Sequence, residues 1–238
     1  MKLLLLLGTI SALLLSASPG QAQKIIEKTA SLRDNQRLVL ELPFAAAIRI
    51  KGVSGKEVAI KATISINNNR LNDALLLTMT TVGNAVEVKS AFDEALLGNS
   101  QKTDCVDSPG SNLLINNVDG KGQGGYRICL HVDYEVEVPA DVSLTVNTMS
   151  GNIQVTGLKG ALEAKSFGGF VDVSWPPSSG AEVSLSSNKG TVYTNQDIAL
   201  DNKNAAPTGQ LLRGKLGRSG PAVTLESYGG DIFFRKQN

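Results

Sequence analysis

The sequence predicts an all-β protein built as a stack of repeated β-rungs, a β-solenoid or β-helix-like fold. Three observations carry this. Apolar and polar residues alternate over most of the chain, which is the mark of half-buried strands. Glycine is abundant at 24 residues while aromatic residues make up only 5%, a composition of short strands and many turns. Four segments in the C-terminal half superimpose without a gap. A β-sandwich of unrelated hairpins is the alternative arrangement of the same strands.

With 238 residues, 23 of them basic and 22 acidic, the chain can bury a real core. Its near-neutral balance gives no field to gather nucleic acid or an anionic membrane. The first residues read as a targeting segment. Lys2 supplies a short positive region and Leu3 to Leu15 an apolar one, while Gly20 and Ala22 in "SASPGQAQ" form a small-residue exit, with cleavage after Ala22. The expected organisation is a signal peptide over residues 1–22 and a single repeat domain over residues 23–238, exported to the periplasm, the cell surface or the medium. The apolar run is short for a bilayer and no second one follows, so no membrane span is expected after signal removal. Export gives the two cysteines a meaning, because Cys105 and Cys129 then sit where disulfides persist. A bridge between them would close a loop of about 25 residues.

The first half of the mature chain reads as strands. "LVLEL" and "AIRIKG" alternate, and "EVAIKATISI" puts Val58, Ile60, Ala62, Ile64 and Ile66 on one face. Residues 74–90 read as a hairpin about Gly83-Asn84, with Val86 and Val88 inward. A helix over "LNDALLL" is disfavoured by its threonine-rich continuation. Residues 93–125 lose periodicity apart from "NLLIN", leaving a long loop that the expected disulfide would tie down. Within it, "NNVDGKGQGG" has part of a calcium-loop pattern but lacks the ligand spacing and the final glutamate, so it reads as a plain turn. "YRICLHVDYEVEVP" turns Leu130, Val132, Tyr134, Val136 and Val138 one way and Cys129, His131, Asp133, Glu135 and Glu137 the other. His131 beside Asp133 could serve as a general base, or with Cys129 as a metal cluster. No further ligands or nucleophile motif complete either site, so this is read as an exposed polar face.

From residue 142 a repeat emerges. "LTVNTMSGNIQV", "LEAKSFGGFVDV", "VSLSSNKGTVYT" and "VTLESYGGDIFF" share the pattern apolar-x-apolar-x-Ser/Thr-x-x-Gly-x-apolar-x-apolar/Thr. The hydroxyl residues are Thr148, Ser166, Ser187 and Ser227, and the glycines Gly151, Gly169, Gly190 and Gly230. Alternating apolar residues fill a core, the hydroxyl bonds backbone where the chain turns, and glycine permits close approach at the corner. The glycines recur 18, 21 and 40 residues apart, a period near that of stacked coils. The long last interval reads as an insertion in "NQDIALDNKNAAPTGQLLRGKLGRSG" plus one poor rung. A degenerate copy is expected upstream in "IRIKGVSGKEVAI".

The block "VPADVSLTVNTMSGNIQVTGLKG", followed by "SFGGFVDV" and a terminal "SYGGDIFF", resembles the bacterial "putative adhesin" family of exported β-strand-repeat proteins, Bacteroidetes type included. The resemblance covers roughly residues 36–238 and is densest after residue 130. It implies a β-solenoid-like fold and an envelope or surface location, and it carries no catalytic residues. The loop over residues 93–125 departs from its compact pattern.

In a stack of such rungs, side chains at one repeat position form columns. One outward column holds Asn152, Phe170, Thr191 and Asp231, and the next Gln154, Asp172, Tyr193 and Phe233. Each offers a single carboxylate rather than the pair that glycoside cleavage needs, and no nucleophile elbow, zinc-helix motif or phosphate loop appears. The expectation is therefore no enzyme, no cofactor and no metal site. A carbohydrate-active β-helix enzyme is the disfavoured third reading. Phe170, Tyr193, Phe233 and Trp175 form the candidate binding surface, because outward aromatics on a rigid β-face stack on sugars or dock proteins. Met149, Phe167 and Tyr228 share the corner before the glycines. An adhesion or binding module for a glycan or an envelope or surface protein is the first reading; a scaffolding periplasmic protein without a dedicated ligand is the second.

Overall fold

The computed structural model describes residues 22–101, 103–105, 111–115, 126–201 and 211–237. The expected signal peptide (apart from Ala22) and the calcium-like stretch at residues 116–125 lie outside these residues. Eighteen strands follow in order. They are β1 (Lys24–Ser31), β2 (Arg37–Glu41), β3 (Ala47–Val53), β4 (Glu57–Ile66), β5 (Leu75–Val82), β6 (Ala85–Phe92), β7 (Ser111–Ile115), β8 (Tyr126–Pro139) and β9 (Ser143–Thr148). After them come β10 (Asn152–Thr156), β11 (Leu162–Ser166), β12 (Val171–Trp175), β13 (Ala181–Ser187), β14 (Val192–Thr194), β15 (Ile198–Leu200), β16 (Leu211–Leu216), β17 (Ala222–Ser227) and β18 (Ile232–Lys236). Among the described residues the one α-helix, α1 (Glu94–Leu97), is capped by the Asp93 carboxylate, and two short 3-10 turns lie at Asn72–Ala74 and Pro177–Ser179.

The chain is all-β; its described residues form two nine-stranded mixed sheets, neither of them closed. One runs β1-β4-β8-β3-β10-β12-β18-β14, with β7 beside β8; the other runs β15-β16-β13-β17-β11-β9-β2-β6-β5. The centres of both are parallel and in register; antiparallel strands flank the second sheet at both ends and the first at its β1 end, while β14 at the other end is parallel. Inward residues of both sheets share one hydrophobic core, from Leu38 and Ile48 through Leu144 and Ile153 to Leu225 and Phe234. Period two holds in the long strands, where Val58 to Ile66 and Val132 to Val138 alternate between buried and open positions. Among the described residues no helix is long and apolar enough to cross a membrane.

Each repeat gives its first strand to one sheet and its second to the other. β9–β10, β11–β12, β13–β14 and β17–β18 stack in register, Leu162 lying beside Leu144 and Val223, and Val171 beside Ile153 and Ile232. The order of stacking departs from the order of the chain. The last repeat, β17–β18, lies between β11–β12 and β13–β14. Among the described residues of the long interval before it, β15 and β16 form an antiparallel pair laid against β13.

The upstream copy is also displaced from its expected place. β3 and β4, which carry "IRIKGVSGKEVAI", belong to one sheet, where both pair with β8, and Gly55 at φ 120° turns the chain between them. The fifth strand pair is β2–β3, with Leu38 beside Leu144 and Ile48 beside Ile153. The hairpin β5–β6 turns at Gly83-Asn84 as the spacing predicts.

Cys105 and Cys129 are bridged, with Cα atoms 5.6 Å apart. The bridge is packed into a polar cluster. Asn67 accepts from the Cys129 N–H at 3.1 Å and donates to Ser100 Oγ at 2.6 Å and Asp104 Oδ2 at 3.1 Å. Arg70 donates its Nε to Asp104 at 3.0 Å and a terminal nitrogen to Asn99 O at 2.8 Å. Hydrogen bonding by Arg70 is the main cause that holds the buried Asp104 carboxyl below its ordinary value of 3.8, against the opposing effect of burial. A depressed pKa means stability that is present above the ordinary value and lost as pH falls through the folded one. In urea titrations across pH, wild type is expected to exceed Asp104→Asn by a constant margin above pH 3.8. That margin should shrink below this pH; one that stays constant into acid would contradict the assignment.

Candidate functional site

The repeat corner is where sequence, packing and surface chemistry meet. In three corners the serine hydroxyl does two things at once. Ser166, Ser227 and Ser187 each donate to a glycine carbonyl of the neighbouring rung at 2.8 Å, namely Gly151, Gly169 and Gly230. Each also accepts the N–H of its own glycine at 2.9 Å, from Gly169, Gly230 and Gly190. Thr148 accepts from Gly151 at 3.3 Å. The glycines pack carbonyl to Cα: a Cβ on Gly169 would lie 2.2 Å from Gly151 O, and one on Gly190 2.3 Å from Gly230 O. All eight corner residues singled out by spacing thus belong to one continuous ladder. Beside it, the Ser150 hydroxyl donates to the Ala45 carbonyl at 3.4 Å.

The ladder continues in the turn itself. Phe167 N–H reaches Thr148 O at 3.1 Å, Tyr228 reaches Ser166 O at 3.1 Å, and Asn188 reaches Ser227 O at 2.9 Å. Equivalent corner side chains are therefore held one above another. Met149, Phe167 and Tyr228 are exposed at 59%, 62% and 42%. The Phe167 and Tyr228 rings stack with centroids 4.7 Å apart and planes 3° apart, and the Lys189 ammonium lies 5.1 Å from the Tyr228 ring. Beside this ridge runs an open groove of about 330 Å³ whose lining includes Asn147, Lys165, Asn188 and Glu226. Lys165 bridges Glu163 at 2.8 Å and Glu226 at 3.5 Å.

On the other side of the corner the expected outward columns form, in the permuted order Asn152, Phe170, Asp231, Thr191 and Gln154, Asp172, Phe233, Tyr193. Tyr193 is half exposed and stacks on Phe233 at 5.2 Å, while Phe170 meets Phe233 edge-on at 6.2 Å. Arg235 covers Phe233 at 6.0 Å and donates to Asp172. Both carboxylates of these columns are occupied, since Asp231 accepts the Thr191 N–H at 2.8 Å. His131 and Asp133 lie 3.4 Å apart on an open face, where Arg49 also reaches Asp133 at 3.5 Å. Among the described residues no group of three His, Cys, Asp or Glu is placed to hold a metal.

Trp175 does not belong to this surface. It is 0% exposed, lies against Phe234 at 6.4 Å and donates its indole N–H to Gly180 O at 3.0 Å. The inward parity of Val171 and Val173 continues to Trp175, and "PPSSG" folds back over it. The corner ridge is the more exposed of the two aromatic columns, and the Ser-x-x-Gly spacing is the signal that locates it.

The class defined by this fold is an all-β protein of two open sheets over one core, with the exposed rings of Phe167 and Tyr228 stacked at one corner. No protein-family model matches the chain, and no curated protein sequence matches it either. Among solved structures it is similar to a putative cell adhesion protein from Clostridium sporogenes, at 12% identity and TM-score 0.53, over 90% of this chain and 100% of that one. A putative adhesin from Bacteroides fragilis is 10% identical with a TM-score of 0.23, over 90% of this chain and 98% of that one. The Clostridium structure shares the fold, and at this identity no residue role passes from it to this chain.

Proposed function

We propose that the chain is an exported, non-catalytic binding module of the cell envelope or surface, an adhesin-like protein that takes its ligand along the aromatic corner. We read its five in-register strand pairs as a short β-solenoid, with the antiparallel strands as flanks. The observation that carries the proposal is the Phe167–Tyr228 stack, exposed on a corner whose backbone is fixed rung by rung. A rigid apolar edge beside amide and ion-pair groups suits a polyhydroxylated ligand such as a surface glycan, because little entropy is lost in ordering it. Occupation of both column carboxylates by structural partners argues against acid–base cleavage of that ligand. Export is supported by the targeting pattern at the N-terminus, the disulfide and the fold shared with a protein described as a putative adhesion protein.

Mutual stacking of the rings favours a second reading, in which the columns are structural ladders and the protein a scaffold without a ligand. The two readings part on one experiment. Phe167→Ser with Tyr228→Ser, and separately the triple change of Phe170, Tyr193 and Phe233 to Ser, are compared with wild type in glycan-array binding and capture from envelope extract. The binding reading expects the corner pair to lose roughly tenfold or more in affinity while melting within a few degrees of wild type. Loss of stability without loss of binding, or an absence of any captured ligand, would favour the scaffold.

A further inference from the structure

Strand edges offer unpaired backbone to any extended chain, and proteins blunt them with short strands or charges. Three of the four strands that end the two strand orders are blunted here, and β7, a fifth edge beside β8, is only five residues long. β14 and β15 are three residues each, and β1 carries Lys24, Glu27 and Lys28. β5 is different. Its eight residues, Leu-Leu-Leu-Thr-Met-Thr-Thr-Val, contain no charge, proline or glycine, and among the described residues no strand pairs with its far side. The exposed side chains Leu76 and Val82, at 46% and 54%, sit at its two ends on the outer face.

We propose that β5 is a self-association edge, which pairs antiparallel with β5 of a second copy of this chain across a two-fold axis. Period two restricts the register, because opposed residues must share a face and the axis must therefore pass through a residue. Centred on Met79, the pairing sets Leu76 of each copy beside Val82 of the other and Thr78 beside Thr80, so the exposed apolar ends cover one another. Centred on Thr78, it leaves Val82 unpaired. No like charges meet within the paired strands in either case, and threonine and β-branched pairs across strands are favourable. The proposal is independent of the corner ridge, which lies on other strands.

The test is sedimentation equilibrium of the purified protein from micromolar to near-millimolar concentration, with wild type and Thr80→Lys, an exposed position on the outer face. Wild type is expected to reach twice the chain mass. Thr80→Lys, which sets two ammonium groups diagonally across the axis, is expected to raise the dissociation constant roughly tenfold or more with unchanged circular dichroism. Oxidised Met79→Cys should form a covalent dimer in the expected register, and Thr78→Cys should do so less readily. A wild type that stays monomeric throughout overturns the proposal. So does a dimer indifferent to Thr80→Lys, or a monomer that binds an added extended peptide in place of a second copy.

Discussion

Gly169→Ala is expected to destabilise the protein by about 3 kcal/mol or more, which for a chain of this size lowers the melting temperature by roughly 6–12 °C. A methyl group there would sit 2.2 Å from the Gly151 carbonyl oxygen and 2.5 Å from its carbon. Both obstacles are backbone held in a parallel ladder, so neither can step aside as a side-chain end would. Separation of the two strand pairs would also stretch the bond from the Ser166 hydroxyl to the Gly151 carbonyl, leaving buried groups short of a partner. The control is its neighbour. A Cβ on Gly168 approaches Met149 O at 3.3 Å, a contact relieved by a few tenths of an ångström, and Gly168→Ala is expected within about 1 kcal/mol of wild type. Urea denaturation of the two variants side by side checks the contrast. Equal midpoints would mean that the glycine at the corner answers only to local turn geometry.

Trp175→Ala is the second large effect, expected at about 3–5 kcal/mol. The side chain is wholly buried, and its indole N–H bonds the carbonyl of Gly180 at the turn before β13. The Trp175 carbonyl meanwhile accepts from the Gln196 amide at 3.0 Å, which also donates to Arg235 O at 3.0 Å. Truncation would open a cavity under the second, last and third repeats together. The expected result is a large fall in the urea midpoint, followed by circular dichroism because the substitution removes the chain's one tryptophan. A stable Trp175→Ala protein with altered ligand capture would return this residue to the binding surface.

Much of the fold was legible because the physics repeats. Ser-x-x-Gly recurs since each corner must satisfy the same carbonyl and admit the same close approach, and alternation marks the strands between. The fifth strand pair breaks the spacing, because Leu42 stands at the serine position and its corner is one residue longer, so that Leu42 aligns with Thr148 but Ala46 with Gly151. It lies between parallel neighbours, β9 and β10 on one side and β6 and β8 on the other, and a Cβ on Gly151 would meet Ala45 O at 2.7 Å rather than a glycine carbonyl. Stacking order was illegible for a deeper reason. Parallel in-register pairing matches Leu162 with Val223 as well as it would with Val183, so the repeat pattern alone assigns no neighbour. What fixes the order is remote: β15 and β16 occupy the far side of β13 and leave its near side to β17. The Asn67–Arg70–Asp104 cluster has no local pattern at all, since its partners lie 34 and 37 residues apart.

The candidate site depends on that order. Phe167 meets Tyr228, and Phe233 bridges Phe170 and Tyr193, only because the last repeat lies between the second and third. In the outward row of one sheet Glu163 lies beside Thr224 and Thr224 beside Ser184, which leaves Glu163 and Ser184 two strands apart. The direct measurement is disulfide trapping in two double variants, Glu163→Cys with Thr224→Cys and Glu163→Cys with Ser184→Cys, since only adjacent strands bring Cα atoms within bridging distance. Rapid bridging is expected in the first and none in the second. Bridging in the second alone would place the repeats in chain order, separate the stacked rings, and remove the surface on which the proposed function rests.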